Sequence, residues 1–167
     1  MVLYLIGAVM FESIVLSAVA EQRALTGTTS NAMLLYALMV TWFVVEYLYH
    51  EFVHLYTYDF FAERVGFKLA WGCLFFYPFF YSIGVHALVT SATDISCTCF
   101  YLIFALFIAG WIITRGANNQ KYYFKINRAS SYFGFSQPAS AGNILACGWW
   151  GYARHFNYFG EMVQVID

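Results

Sequence analysis

The sequence has 167 residues with a formal net charge of −1, and 62% of the residues are hydrophobic while only 10% are charged. Soluble domains carry about a quarter charged residues, so this composition, with its long uncharged runs, indicates a membrane protein. The near-zero net charge excludes a large basic face and argues against nucleic-acid binding. The four cysteines show no CxxC spacing, which favours small buried side chains over a disulfide or a zinc site.

Two apolar segments open the chain. Residues 1–20 predict a first span, and because they lack a basic n-region and an AxA-like cleavage site they indicate an anchored helix. Glu12 is its one charge, and we expect the carboxyl to face other helices. A functional role is the alternative, because ionisable groups inside membranes are costly. Residues 21–31 predict a polar loop, and a second span is predicted from about Ala32 to Tyr56.

Two uncharged segments follow a short charged loop at residues 57–68. Leu69–Thr93 predicts a third span that Pro78 kinks, and Ile95–Thr114 predicts a fourth. After a basic loop and a connector rich in Ser, Gly and Pro, a fifth helix is predicted from Ile144.

The predicted fold is all-α, a multi-pass transmembrane helical bundle of about four full spans plus the start of a fifth. We interpret residues 1–167 as a single transmembrane domain. They are expected to be a piece of a larger protein, because the fifth helix stops before it could finish a crossing. The positive-inside rule places the basic loop after the fourth span in the cytoplasm, together with the loop at residues 57–68.

The second span ends in a cluster of titratable side chains. Glu46, His50 and His54 are spaced by four and therefore share one helix face, and HEFVH at residues 50–54 matches the HExxH pattern of zinc peptidases. No third ligand stands in a recognisable second motif, so we predict that no metal binds here. The alternatives are a polar helix face lining a cavity and a source of protons for catalysis.

A polar region from Arg115 to Glu161 gathers cations, amides and aromatic side chains beside hydrophobic spans. Such cations are typical of topology signals and lipid headgroup contacts. The surrounding amides and paired indoles favour instead an anion site that also stacks a planar ligand. The region has neither a GxGxxG nor a P-loop motif. Phosphates would therefore meet basic side chains directly, and the candidates are Lys121, Lys125, Arg128 and Arg154.

Two segments of this region, RGANNQKYYFK (115–125) and GWWGYARHFNYFGE (148–161), resemble two signatures of the sterol reductase family. That family includes delta-14 sterol reductases, 7-dehydrocholesterol reductases and the membrane domain of the lamin B receptor. TYDFFAERVGFKLAWGCLFFYPFFYSI (57–83) is similar to the segment that precedes them. The resemblance covers Tyr47 to Glu161. It implies a multi-pass membrane enzyme, in the endoplasmic reticulum membrane of a eukaryote, that uses NADPH to reduce a sterol carbon–carbon double bond.

The resemblance also implies which residues act. In the family a cytoplasm-facing pocket holds the cofactor. Its motifs correspond here to Asn119, Gln120, Lys121, Phe124, Lys125, Arg128, Trp149, Trp150, Arg154, His155, Asn157, Tyr158 and Gly160. The expected reaction protonates the alkene and then delivers hydride from NADPH, because an unactivated alkene is a poor hydride acceptor. The candidate proton donors are Asp59, Tyr58 and Glu51.

Two other functions stand as alternatives. A non-catalytic sterol-binding membrane protein would share the spans and the lipid contacts, and NADPH oxidation with a sterol substrate separates it from an enzyme. An intramembrane zinc peptidase using HEFVH would instead hold stoichiometric zinc. The expected partners are a sterol substrate from the bilayer and membrane lipids, and no nucleic acid is expected.

Overall fold

The computed structural model describes residues 2–56, 66–91, 94–127, 140–141 and 144–165, most of which are helical. Four of the described segments are long and apolar enough to cross a membrane, and they are Val2–Thr26, Asn31–Tyr49, Phe67–Val89 and Cys97–Ile126. The prediction of an all-α, multi-pass membrane protein is confirmed. The chain divides into two compact units, Met1–Tyr101 and Leu102–Asp167. The assignment to a single domain stays a prediction.

The first helix, α1 (Val2–Thr26), runs past the predicted boundary at residue 20. It stops before Gly27, whose φ of +78° lies in the left-handed region that favours glycine. Glu12 accepts a hydrogen bond from the Thr41 hydroxyl, with an Oγ1–Oε1 distance of 2.7 Å. Since Thr41 lies on the second helix, the prediction that the Glu12 carboxyl faces another helix is confirmed.

The second helix, α2 (Asn31–Tyr49), ends earlier than predicted, and the short α3 (Glu51–His54) follows. The prediction of one helix reaching Tyr56 is therefore wrong. His50 separates the two, with φ −95° and ψ 28°. Its ring Nδ1 lies 3.2 Å from the carbonyl oxygen of Glu46, the atom that its own backbone N–H also contacts at 3.1 Å. The regular helix thus ends at His50, whose backbone angles leave the α-helical region while its N–H keeps the bond to Glu46.

The third span is irregular. It comprises α4 (Phe67–Trp71), a π-helical turn (Gly72–Phe76), α5 (Tyr77–Phe80) and α6 (Ile83–Val89). Pro78 lies in the first turn of α5, directly after the π-helical turn. Because proline lacks an N–H and its ring crowds the carbonyl four residues earlier, the regular hydrogen-bond ladder cannot continue there. The irregularity falls where the sequence predicts a kink.

The core of the N-terminal unit joins α1, α2 and α6. Its buried apolar side chains are Ala18, Met33, Val85 and Val89. Beside them Gln22 is only 2% exposed. Its Nε2 donates to the Leu88 carbonyl at 2.8 Å, and its Oε1 accepts from the Ser30 N–H at 2.9 Å. One buried amide thus connects the ends of three helices.

Asp94 caps α2 from outside that helix. Its carboxylate accepts hydrogen bonds from the backbone N–H groups of Asn31 at 3.0 Å, Ala32 at 3.1 Å and Ile95 at 2.8 Å. These bonds, chiefly the one from Asn31, hold the pKa of the Asp94 carboxyl below its ordinary value. A negative charge at a helix N-terminus also complements the helix dipole.

The helix α7 (Cys97–Ile126) continues through residues that the sequence assigns to a loop. The predicted end of the fourth span at Thr114 and the predicted loop from Arg115 onwards are therefore wrong over the described residues. Thirty residues of helix measure about 45 Å, against a hydrocarbon core of about 30 Å. The helix is long enough to carry its polar C-terminal half out of the hydrocarbon region.

Among the residues described after α7 are one pair of short strands and two helices. Strands β1 (Ser140–Ala141) and β2 (Ile144–Leu145) pair antiparallel, and α8 (Trp149–Tyr152) and α9 (Phe156–Val165) follow. The prediction of a continuous fifth helix from Ile144 is wrong. That residue pairs with Ala141 in the hairpin, and Ala153 has an extended backbone that separates α8 from α9.

Candidate functional site

The polar half of α7 is helical because one of its faces is buried. Ala117, Gln120 and Phe124 follow one another by three and four residues and are all buried. This is the spacing of a single helix face. Lys121 is exposed directly after Gln120 and Lys125 directly after Phe124, whereas Arg115 is itself buried. The sequence hides this periodicity, because amides and a glycine stand among the apolar residues.

Gln120 fixes the turn that leads into α8. Its Nε2 donates to the Cys147 carbonyl at 3.1 Å, and its Oε1 accepts from the backbone N–H of Trp149 at 3.1 Å. Between these two residues Gly148 has φ +57°, and a Cβ there would collide with the Gln120 amide. The side chain predicted to bind a cofactor therefore uses both ends of its amide within the protein.

Trp150 is held by the turn of α7 that carries Lys121. Its Nε1–H donates to the Ala117 carbonyl at 2.7 Å, and the Lys121 Nζ lies 4.6 Å from the centroid of its ring system. A lysine ammonium at this distance over an indole is a cation–π contact. The structure thus brings together two residues that the sequence places in one cofactor site.

Arg154 and His155 lie in the break between α8 and α9, and their predicted place inside the last helix is wrong. Both are exposed. The His155 ring stacks on Tyr158, with centroids 5.1 Å apart and an interplanar angle of 6°. The Trp149 ring stacks on Phe156 at 5.5 Å. The Trp149–Phe156 pair therefore joins α8 to α9 across the break, and His155 packs on α9 through Tyr158.

α9 crosses α7 at a pair of glycines that sequence reasoning missed. A Cβ on Gly110 would lie 2.7 Å from the Gly160 carbonyl oxygen, and a Cβ on Gly160 would collide with Thr114. Thr114 Oγ1 donates to the Asn157 carbonyl at 3.2 Å. The signal in the sequence is a glycine inside an apolar span, which is typical of close helix contacts in membranes. Gly160, predicted to bind a cofactor, serves this crossing.

Some buried polar atoms of this unit have no hydrogen-bond partner among the described residues. They include the indole Nε1 of Trp149 and the side-chain oxygens of Asn119 and Asn157. The Trp149 Nε1 faces Gly116, where an added Cβ would lie 2.8 Å away. Buried polar groups normally find a partner, so these atoms suit a polar ligand or an ordered water. Among these three atoms the indole Nε1–H of Trp149 is the donor, and the two amide oxygens are acceptors.

The described part of the predicted catalytic cluster lies in the N-terminal unit. Glu51 is exposed in the first turn of α3. The His50 Nδ1 lies 3.2 Å from Glu46 Oε1, while the His54 ring stacks on Tyr47 with centroids 3.7 Å apart. The residues of HEFVH therefore have different partners. The described residues contain no group of three or more His, Cys, Asp or Glu side chains that could hold a metal ion.

Three of the predicted site residues, Tyr58, Asp59 and Arg128, lie outside the described residues. Phe124 is buried on α7, and Lys125 is exposed near the end of that helix. Their assignments as cofactor ligands stay predictions.

The sequence profile of the family described as "Ergosterol biosynthesis ERG4/ERG24 family" matches residues 4–167. A delta(14)-sterol reductase of Arabidopsis thaliana is 34% identical over 84% of this chain and 38% of its own length. A delta(14)-sterol reductase of Methylotuvimicrobium alcaliphilum is 35% identical over 91% of this chain and 36% of its own length. A probable 7-dehydrocholesterol reductase of Acanthamoeba polyphaga mimivirus is 30% identical over 94% of this chain and 36% of its own length.

The chain therefore spans little more than a third of the length of these relatives. The match covers nearly every residue present, including both polar segments that come together around Gln120. The sequence resemblance to sterol reductases is confirmed, and the chain belongs to the ergosterol biosynthesis ERG4/ERG24 family.

Proposed function

We propose that this chain forms part of a membrane enzyme that reduces a carbon–carbon double bond of a sterol, of the delta-14 or delta-7 type, with NADPH. The observation that carries the proposal is the meeting of the two signature segments. Gln120 binds the turn before Trp149, and Lys121 lies over Trp150. The relatives that share these segments are named for sterol reduction.

The cofactor proposal is supported by the chemistry of the side chains around this turn. NADPH, when bound, supplies the hydride and carries phosphates and two planar rings. Cationic side chains bind phosphates by charge-assisted hydrogen bonds, and the candidates are Lys121, Lys125, Arg128 and Arg154. The half-buried indole rings of Trp149 and Trp150 and the exposed rings of Tyr152 and Tyr158 suit stacking on a planar ring. The buried polar atoms of Asn119, Asn157 and Trp149 offer further donors and acceptors.

The proton is proposed to come from the first half of the chain. Tyr58, Asp59 and Glu51 remain the candidate donors, and each carries a group able to hold a proton. The sterol would enter from the bilayer between helices, so the chain's apolar faces orient it and exclude water. The polar half of α7 is proposed to face the cytoplasm, because its cations exceed those of the opposite loops. In a eukaryote the membrane would be that of the endoplasmic reticulum.

The test is turnover in a defined membrane. The chain is reconstituted in nanodiscs, alone and joined to the C-terminal remainder of the Methylotuvimicrobium alcaliphilum relative. It is given a delta-14 or a delta-7 unsaturated sterol with NADPH. Reduced sterol detected by mass spectrometry, with matching NADPH consumption, is the expected result for the joined protein. Sterol binding without NADPH binding or product in either form would contradict the proposal and favour a sterol-binding protein.

A further inference from the structure

We propose that Gln120 is a positioning residue, one that sets the Trp149–Trp150 pair against Lys121 and does not itself touch the cofactor. The proposal rests on the proposed function, since the tryptophan–lysine arrangement is the part of the site that would receive a planar, anionic ligand. It assigns Gln120 a role different from the binding role that the motif implies.

The Gln120 amide is buried and hydrogen-bonded to the backbone of the turn before α8. The residue is 4% exposed. Its donor and its acceptor each contact a backbone group of the turn, at Cys147 and at Trp149. The amide has a second N–H and a second lone pair, but it is buried against the turn at Gly148, so a ligand could reach it only by displacing that turn.

The Gln120 amide also fills the space next to Gly148. Gly148 adopts φ +57°, and the space where its Cβ would be is filled by the Gln120 amide. A side chain at residue 148 and the glutamine at residue 120 therefore exclude each other. Because the glycine and the glutamine fit together in this way, the start of α8 is held in one position relative to α7.

The same arrangement brings the Trp150 ring close to the Lys121 ammonium. Gln120 holds the N–H of Trp149, the first residue of α8, and Ala117 accepts the Nε1–H of Trp150 at 2.7 Å. These two acceptors lie one turn apart on α7. They bring the Trp150 ring within 4.6 Å of the Lys121 Nζ. The aromatic ring and the cation are thus placed together before any ligand arrives, which lowers the entropic cost of binding.

The test measures NADPH affinity for the full chain in nanodiscs by titration calorimetry. Gln120→Ala is expected to weaken NADPH binding about tenfold, because both hydrogen bonds to the turn are lost and the indole is no longer held in place before binding. In a Trp150→Ala background the same change should weaken it less than about twofold, since residues that act through one another are non-additive. Gln120→Glu keeps the acceptor for Trp149 and should fall between. Asn118→Ala, an amide on the same helix, is the matched control.

A cofactor-free readout separates the two proposals. The fluorine NMR resonance of Trp150 in fluorotryptophan-labelled chain, assigned with Trp150→Phe, should shift in Gln120→Ala and stay in place in Asn118→Ala. Full additivity of Gln120→Ala and Trp150→Ala would mean direct cofactor contact and would overturn the positioning role. An unmoved Trp150 resonance in folded Gln120→Ala chain would overturn it as well. If Gln120→Ala shifts the Trp150 resonance but the parent chain binds no NADPH, the result would support the positioning of Trp150 and contradict the proposed function.

Discussion

Among the described residues each unit of the molecule contains one buried glutamine, and the two glutamines make similar hydrogen bonds in different settings. Gln22 is 2% exposed and Gln120 is 4% exposed. Each donates to one backbone carbonyl and accepts from one backbone N–H at or next to the start of a helix. Gln22 connects helix ends beside an apolar core, whereas Gln120 holds a turn whose next two residues are tryptophans beside a lysine. The same contact therefore stabilises one unit and shapes a candidate ligand site in the other.

The largest expected effect comes from the helix crossing beneath the candidate site. Gly160→Val should destabilise the C-terminal unit by about 1–3 kcal/mol or more, because the new side chain has no space against Thr114 and the Gly110 carbonyl. Thermal unfolding followed by circular dichroism in detergent measures it. Gly84→Ala is the control, since its Cβ would meet only Tyr36 atoms at 3.7 and 3.9 Å. Equal effects at the two glycines would contradict the crossing.

The next largest effect is expected from substituting the two buried glutamines, which should affect NADPH affinity in one unit and not in the other. Gln22→Ala should cost about 1–3 kcal/mol of stability, because a buried carbonyl and a buried N–H lose their partner. It should leave NADPH affinity unchanged, whereas Gln120→Ala should lower both. Thermal unfolding and calorimetric titration of the same preparations give the two readouts. A cofactor effect of Gln22→Ala as large as that of Gln120→Ala would remove the distinction between them.

A smaller effect is expected for the indole hydrogen bond. Trp150→Phe keeps an aromatic ring near Lys121 but deletes the bond from Nε1 to the Ala117 carbonyl. We expect a loss of about 0.5–1.5 kcal/mol in unfolding free energy, seen as a lower melting temperature. Trp71→Phe, at a half-exposed ring in the other unit, is the control. A parent-like melting temperature for Trp150→Phe would show that this bond does not stabilise the turn.

Part of this structure follows from the sequence alone. The membrane class and the four spans follow from long apolar runs, which need no tertiary information. The ends of α2 and α7 do not, because the backbone angles of His50 and the burial of one face of the amide-rich stretch after Arg115 belong to the tertiary structure. The family motifs single out Gln120 and Gly160 as cofactor ligands, and that role stays a prediction. Only the three-dimensional contacts give them structural roles.

The smallest effect is the pH dependence of the cap on α2. The pKa of Asp94 is lowered in the folded chain by backbone hydrogen bonds, first of all from Asn31. Its stabilising contribution is therefore present above the ordinary pKa of about 3.9 and is lost as pH falls through the lower folded value. Asp94→Asn should lower the melting temperature at neutral pH, and the difference from the parent should shrink below about pH 4. A difference that stays constant with pH would exclude a charge effect.

The central claim is that the two signature segments form an NADPH site, and titrating NADPH and NADH into the same nanodiscs tests it most directly. The samples are the parent, Lys121→Ala, Arg128→Ala and Arg154→Ala, with Lys68→Ala as a cation control in the other unit. We predict that the parent prefers NADPH. Loss of one phosphate contact should weaken NADPH binding about tenfold or more, since a charge-assisted bond contributes roughly 1.5–3 kcal/mol.

Comparing the effects on NADH and NADPH identifies which phosphate each residue contacts. A residue that binds the 2′-phosphate should affect NADPH alone, whereas one that binds the shared pyrophosphate should weaken both cofactors. The titrations are run on the chain alone and on the chain joined to the C-terminal remainder of the bacterial relative. Unchanged affinities for both cofactors in all three variants, with the fold intact, would contradict the claim that these segments bind NADPH.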